Sequence, residues 1–324
     1  MRHYCTYFDS NYLLRGLSMY RSLQAAGGPS VLHALCLDED AFTALRALAL
    51  PGLHPIALNA VESFLPALTA AKANRSRVEY YFTLSPVLPL YLFATHPELD
   101  AVTYLDADLL FYSSPETVLA ELGDRSVLVC EHRYPARHVD KLRYGRFNVQ
   151  FQTFRRDETG LACLTLWRDQ CLEWCCDHAE GDRYADQKYL DEWPALYGER
   201  LAIAQHPGAG LAPWNWETLP LSLDAGNLKV AGQPLVFYHY HGVKIFGHHL
   251  ISNGLLDWGL MPWRIRRWLY AGYVRHLRAT RRWLLEKTGI ERPMRDRFIR
   301  GTGIGLASTR EILRKAWHQA MLVL

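Results

Sequence analysis

Several features are missing from this 324-residue chain, and their absence closes off classes of protein. No apolar run reaches the roughly 20 residues that a membrane-spanning helix needs. The seven cysteines, at positions 5, 36, 130, 163, 171, 175 and 176, are odd in number and show no CxxC spacing. Their pattern therefore predicts neither a disulfide framework nor a structural zinc motif. Internal repeats and low-complexity segments are also lacking. The chain enters its first strand-like segment, His3 to Phe8, without the basic, apolar and small-residue regions of a secretory leader. The expectation is a cytoplasmic protein with reduced, mostly buried cysteines, in which the sequon Asn74-Arg-Ser76 has no role.

What is present is an ordinary globular composition, 49% apolar and 12% aromatic, with a small net charge of +3. That charge is unevenly spread. From Met261 onward there are 15 Lys/Arg against 4 Asp/Glu, leaving 21 against 29 before it. An acidic body joined to a basic element predicts an anionic partner for the latter. The length suits one large α/β domain with an appendage, and we place a boundary near residue 255: a catalytic body over 1–255 and a basic, Arg/Trp-rich helical extension over 256–324.

Periodicity sets the order of elements. Residues 2–8 alternate as a strand, and Asn11 to Ala26 repeats as a helix closed by Gly27-Gly28-Pro29. A strand from Val31 to Leu37, a helix from Ala41 to Leu50 and a strand from Leu53 to Leu58 follow. Val78 to Thr95 reads as a buried helix broken or bent near Pro86 and Pro89. Further strands are expected at Val102–Asp108, Ser126–Cys130, Asn148–Phe154 and Leu235–Tyr240, with a long helix from Asp157 to about His178. Alternating strands and helices imply a mostly parallel central sheet flanked by helices. The ligand crevice of such a sheet lies beyond the carboxyl ends of its strands, where Tyr7, Phe8, Asp9 and Asp106 would meet.

Asp106 and Asp108, two apart at a strand end, can present both carboxylates to one side. A hard divalent cation, Mg²⁺ or Mn²⁺, is the usual way to hold two such groups ionised, and it leaves positions open for diphosphate oxygens. A polar turn without a metal is the competing reading of these two residues. His239 and His241 share a face of the last strand, and either supplies an imidazole suited to Mn²⁺. Gly242 permits close backbone approach to a ligand. Lys244, Lys72 or Arg75 could neutralise a departing diphosphate.

Taken in order, these motifs resemble a GT-A-fold glycosyltransferase of glycosyltransferase family eight, the glycogenin and lipopolysaccharide galactosyltransferase group. The matching pieces are Thr6-Tyr7-Phe8-Asp9-Ser10-Asn11-Tyr12 with Ser22-Leu23, Asp106-Ala107-Asp108, Phe147-Asn148, Asp186-Gln187 and His239-Tyr240-His241-Gly242 with Lys244. The resemblance implies that Thr6, Tyr7 and Asp9 hold the base and ribose of a nucleotide. It implies Asp106, Asp108 and His239 on the metal, with His241 as the alternative, and Asn148, Asp186 and Gln187 facing the transferred sugar. Asp186 and Gln187 are then the nearest candidates for catalytic groups. Ala71 to Tyr81, including Arg75, resembles a stretch that closes over the donor. Two departures stand out: a single residue separates Gly242 from Lys244 where the family has two, and Val149-Gln150 replace a small residue and Gly. The implied reaction moves a sugar, with retained configuration, from a nucleotide-diphosphate sugar, UDP first among them, to a glycan, lipid-linked or polypeptide hydroxyl.

The basic extension reads as an interfacial amphipathic helix, with Ile265, Trp268, Leu269, Tyr273 and Leu277 near one face and arginines around it. This predicts an anionic membrane surface as partner for residues 261–324, on the inner face of the membrane. A helix packed on the body with an exposed basic face is the other reading. No nucleic-acid module accompanies the basic stretch, and Gly301-Thr302-Gly303-Ile304-Gly305 does not follow a strand as a dinucleotide loop would. Two competing functions are a sugar-nucleotide nucleotidyltransferase and a non-catalytic glycan- or nucleotide-binding module. The former needs a Gly-rich, Arg-containing loop after the first strand, where this chain has Asp9-Ser10-Asn11-Tyr12-Leu13.

Overall fold

The computed structural model of the chain describes residues 1–246, 250–255, 257–259, 261–294 and 321–323. Its centre is a seven-stranded sheet in the order β3-β2-β1-β4-β7-β6-β8. The strands are β1 Arg2–Phe8, β2 Ser30–Cys36, β3 Leu53–Ala57, β4 Ala101–Leu105, β6 Val127–Glu131, β7 Phe147–Arg155 and β8 Leu201–Ile203. All neighbours run parallel except β7, which is antiparallel to β4 and β6. Pro55 lies in β3, at the sheet edge, where its missing N–H breaks no ladder. The mostly parallel sheet expected from the alternation is therefore present.

Helices α1 Leu13–Gly27, α2 Glu39–Leu48, α3 Leu58–Phe64, α4 Ala67–Asn74, α5 Arg77–Thr95, α6 Glu116–Leu119, α7 Glu158–Glu173, α8 Trp193–Tyr197 and α9 Trp263–Thr288 surround it. Their buried faces form two apolar clusters, one joining α1, α2 and α9 to the sheet and the other joining α5 and α7 to it. Local chemistry sets several boundaries. Asp38 caps α2 by accepting from the Ala41 N–H, and Asp157 caps α7 by accepting from Gly160. Ser76 and Glu79 form a reciprocal capping box at the start of α5.

Two expected elements differ in extent. The helix with Pro86 and Pro89 runs as one 19-residue element. Both prolines are internal and buried in the packed face, so tertiary contact overrides the two hydrogen bonds they remove. The helix begun at Asp157 stops at Glu173 rather than near His178. Its last carbonyls, of Cys171 and Leu172, are taken by the Arg75 guanidinium, and Trp174 is extended. The apolar stripe of Leu161, Leu164, Trp167, Cys171 and Trp174 runs past the helix end, so periodicity placed that end too late.

Small sheets complete the fold: β5 Leu109–Phe111 with β12 Phe237–His239, β9 Leu221–Asp224 with β10 Asn227–Val230 and β11 Gln233–Pro234, and β13 Lys244–Phe246 with β14 Leu250–Ser252 and β15 Met321–Val323. The Gly301–Gly305 run lies outside the described residues. No helix among the described residues is long and apolar enough to cross a membrane.

The basic helix α9 is bound to the body. Ile265, Leu269, Tyr273 and Leu277, the face expected to enter a lipid surface, are all 6% exposed or less. Tyr273 stacks on Tyr240 with ring centroids 3.7 Å apart. That face is used up in the core, so the insertion mode drawn from the helical pattern is corrected to the packed one.

At the amino ends of the first strands four histidines meet. His33, 1% exposed, has His3 Nδ1 3.2 Å from its Nε2, and the rings of His54 and His96 stand edge-on to it at 5.2 and 5.1 Å. Burial, with the neighbouring imidazoles adding, pushes the His33 imidazole down to about 3. A folded-state value below the unfolded one gives stability that is present above about pH 6.5 and lost as the pH falls. Thermal unfolding of the intact chain should therefore drop between pH 6.5 and 5, by up to ~1.4 kcal/mol per pH unit for this group. His33→Leu should flatten that slope; equal slopes in both proteins would refute the assignment.

Candidate active site

β4 ends at Leu105, and Asp106-Ala107-Asp108 forms a turn into β5 rather than the strand continuation expected. The two carboxylates converge nonetheless, because backbone bonds fix both residues. Asp106 N–H donates to the Gln150 carbonyl of β7 at 3.0 Å, and Tyr240 N–H donates to the Asp108 carbonyl at 3.0 Å. β12 thereby lies antiparallel to β5, with His239 opposite Leu109. Its alternation sends Tyr238 and Tyr240 toward α9, where they meet Tyr270 and Tyr273, and His239 toward the aspartates.

His239 Nε2 lies 3.0 Å from Asp108 Oδ1 and 3.7 Å from Asp106 Oδ2. One ligand atom from each of the three residues falls within a 4.8 Å group that could hold a metal ion. The other ring nitrogen decides the chemistry. His239 Nδ1 is 3.0 Å from Gln150 Oε1, an acceptor, so Nδ1 carries the proton. A neutral ring then has its Nε2 lone pair directed at the carboxylates, the arrangement of a metal-ligating histidine with an outer hydrogen-bond partner. Burial lowers the His239 imidazole, but Asp108, with Asp106 adding, outweighs it and leaves the ring above its ordinary value. The donor set of two carboxylates and one imidazole fits Mn²⁺ or Mg²⁺, and it is His239 that completes it. His241 is exposed, its ring edge-on to His239 at 5.6 Å.

Electrostatics around the pair are uneven. Burial pushes the Asp106 carboxyl up to about 6, with Asp108 adding to the rise against His239. Asp108 is desolvated too, but His239 outweighs that and, with Arg15 assisting, holds its carboxyl at about 2. Tyr104 O–H donates to Asp106 Oδ1 at 3.1 Å.

Other expected residues gather in two linked groups. Ser85 Oγ–H donates to Asp186 Oδ2 at 2.6 Å, and Tyr7 Oη lies 3.1 Å from Ser85 Oγ. Burial, with Asp106 adding, pushes the Asp186 carboxyl up to about 7. Asn148 Nδ2 donates toward Gln187 Oε1 at 3.4 Å, and Gln187 Nε2 donates to the Tyr144 carbonyl at 2.7 Å. Thr6 Oγ1 is buried with no hydrogen-bond partner among the described residues.

Some expected residues are engaged elsewhere. Asp9 accepts from Asn11 N–H, Asn11 Nδ2 and Tyr12 N–H, which shapes the turn into α1. Arg75 clamps the end of α7, and Lys72 pairs with Glu62 at 2.7 Å. Lys244 is exposed at the start of β13. Gly242, at φ +71°, turns the chain there, and any Cβ on Gly254 would come within 2.5 Å of the His241 carbonyl. Two glycines thus allow the close crossing that presents Lys244.

Sequence reasoning missed Gln150, Ser85 and Arg15 as site residues. Asn148, Gln150 and Gln152 form a polar stripe at every second position of β7, alternating with Phe147, Val149 and Phe151, a readable signal. Arg15 is a lone cation in the buried stretch Leu13–Tyr20; it is 4% exposed and donates to the Val243 carbonyl at 3.1 Å.

No family model matches the chain. The uncharacterized protein YfnF of Bacillus subtilis (strain 168) is 31% identical over 250 residues, 75% of this chain and 82% of that one. The chain belongs to the YfnF family. YfnD of the same strain is 28% identical over 243 residues, 74% and 77% of the two chains. Among solved structures, the galactosyltransferase LgtC in complex with donor and acceptor sugar analogs has a TM-score of 0.55 at 16% identity. An active-site mutant of LgtC scores 0.52 at 18%, and each match covers 86% of this chain and 95% of that one. At such identities the likeness shows the fold. This YfnF-family chain has the GT-A fold, and its resemblance to glycosyltransferase family eight is supported.

Removing the Gln150 acceptor should free the His239 ring and its tautomer. Gln150→Leu is expected to weaken Mn²⁺ binding about 10–100-fold, read by paramagnetic resonance of free Mn²⁺, with unfolding temperature little changed. Undiminished affinity in that variant would count against the outer-partner role.

Proposed function

We propose that the protein is a glycosyltransferase that moves a sugar, with retention, from a nucleotide-diphosphate sugar, a UDP-sugar in the first instance, to a hydroxyl of a glycan, lipid-linked or polypeptide acceptor. The observation that carries this reading is the His239 ring, held by Gln150 with its Nε2 toward two carboxylates at the carboxyl rim of a GT-A sheet. Asp106, Asp108 and His239 would hold Mn²⁺ or Mg²⁺. When bound, such an ion stabilises the diphosphate leaving group.

The chain's own residues supply the rest. Tyr7 on β1 and the unpartnered Thr6 hydroxyl suit a nucleoside, with Asp9 shaping the turn beside them. Lys244, carried on the Gly242 turn, and Arg15, whose charge is felt by Asp108, are the cations placed to favour a diphosphate. Asn148 and Gln187 form one polar edge and Asp186 another, the natural places for sugar hydroxyls. Asp186 and Gln187 remain the candidates for contact with the reacting carbon. For the acceptor, an aromatic series of Trp214, His132, Tyr134 and Trp258 begins at His239.

Incubation with Mn²⁺ and a panel of nucleotide sugars, followed by NMR detection of released nucleotide, should identify a donor. Asp106→Asn and Asp108→Asn should each slow release at least ~10²-fold, the scale of one preorganised electrostatic group. Unchanged release in both variants, or release from no donor at all, would defeat the proposal.

We further infer that a cytoplasmic location would let α9 meet an anionic inner membrane surface without inserting. Arg264, Arg267, Arg275, Arg282 and Lys287 are exposed while the apolar face is packed. Each cation near such a surface contributes about 1 kcal/mol. Co-sedimentation with phosphatidylserine vesicles should therefore weaken steeply with salt and fall further in an Arg264→Glu, Arg267→Glu, Arg275→Glu variant. Binding indifferent to both salt and charge reversal would remove the membrane from the reading.

A further inference from the structure

A second set of ligating side chains lies away from Asp106 and Asp108. Glu79, Cys176 and His178 each offer one ligand atom within a 4.8 Å group. Glu79 is at the third position of α5, and the other two follow α7, so the group bridges elements that are distant in sequence. Its members are held from below. Glu79 Oε1 accepts from the Asp177 N–H at 3.0 Å and Oε2 from the Ser76 N–H at 2.8 Å, leaving each oxygen a free lone pair. Glu180 Oε2 stands 3.7 Å from His178 Nε2, a carboxylate able to act as fourth ligand or outer partner. Cys176 is half-buried and His178 exposed, so an ion could enter and the imidazole could turn onto it.

We propose that Glu79, Cys176 and His178 form a Zn²⁺ site that clamps the start of α5 to the loop carrying Asp186. One thiolate, one imidazole and one carboxylate make the borderline-soft donor set that zinc favours over magnesium. Ligands at about 2.0–2.3 Å from a tetrahedral ion lie ~3.5 Å apart. Closure from the present spacing needs about an ångström, within reach of the exposed His178. On binding, the Cys176 thiol gives its proton to solvent and its sulfur pair to the ion.

The consequence lies one residue from Asp186. The Cys176 carbonyl accepts from Ala185 N–H at 3.0 Å. Six residues beyond Glu79 on the same helix, Ser85 donates to Asp186 Oδ2 at 2.6 Å. Both supports of Asp186 therefore run to the same three ligands, and an ion there would fix the distance between them. Binding stands apart from the proposed sugar transfer; only the effect on Asp186 depends on that reading.

The full chain, stripped with a chelator and titrated with Co²⁺, should show a near-ultraviolet thiolate-to-cobalt charge-transfer band that Zn²⁺ abolishes. The band should be lost in Cys176→Ala, weaken in His178→Ala and persist in Asp106→Ala. In an Asp106→Ala background, which removes the other candidate metal set, Zn²⁺ should also raise the unfolding temperature, and adding Cys176→Ala should abolish that rise. Absence of the band in the parent, or its survival in Cys176→Ala, would overturn the site whatever becomes of the transferase reading.

Discussion

Two carboxylates forced together at the end of a buried strand set the terms for everything around them. Asp106 and Asp108 repel, and their partly buried setting strengthens the repulsion. A cation between them would relieve that repulsion, and the fold offers a place for one beside β12. The strand is only three residues long, too short to hold a register by its own ladder. It is held because its alternate residues are claimed on both sides: Tyr238 and Tyr240 by the aromatic face of α9, His239 by Gln150 and the aspartates. The hydroxyls of Tyr112 and Tyr240 are hydrogen-bonded as well, which ties the end of β5 to the same strand.

That dependence changes the meaning of the C-terminal helix. Judged by composition, α9 is a separate basic appendage. Judged by contact, it backs the active site, since a one-residue slip of β12 would turn His239 into the core and a tyrosine toward the carboxylates. Tyr270 and Tyr273 oppose that slip by filling the space behind the strand. Arg266 is buried with the packed face, while Arg264, Arg267, Arg275 and Arg282 are left exposed, so most of the charge and the packing occupy different sides of one helix and can serve different ends.

Much of this was legible in the sequence, and the reasons for success and failure are physical. β1 announced itself by its alternation, and β2 and β4 because strands covered on both faces read as largely apolar runs. Asp106, Asp108 and His239 were singled out because a metal set needs specific residue types at strand ends, and their ligand atoms do lie together. Asn148 and Gln187, both expected to face the sugar, are hydrogen-bonded to each other, whereas Tyr7, expected at the nucleotide, is linked through Ser85 to Asp186, expected at the sugar. The end of α7 was misjudged because the apolar stripe continues to Trp174 while the backbone is stopped by Arg75, a residue 96 positions earlier than Cys171. Long-range termination of this kind leaves no local mark. The same holds for Glu79, Cys176 and His178, whose ligand atoms meet although their sequence spacing matches no metal motif. The amphipathic pattern of α9 was read correctly, but a pattern names an apolar face without naming what covers it.

Gln150 shows how a departure from a motif can be part of the design. Where the pattern of glycosyltransferase family eight, which these motifs resemble, has Gly, this chain places a side chain whose carbonyl oxygen accepts from His239 Nδ1 and whose backbone carbonyl accepts from Asp106 N–H. One residue thus orients the imidazole and anchors a carboxylate. A carboxylate in its place would accept the same hydrogen bond more strongly, but it would add a third negative charge beside two that already repel. The amide gives orientation without charge. The fit is local: Gly210, at φ +70° where other residues are strained, leaves the room that the Gln150 amide fills, since a Cβ there would come within 2.8 Å of its nitrogen. The wider side chain on β7 and the bare backbone opposite it are therefore two halves of one arrangement.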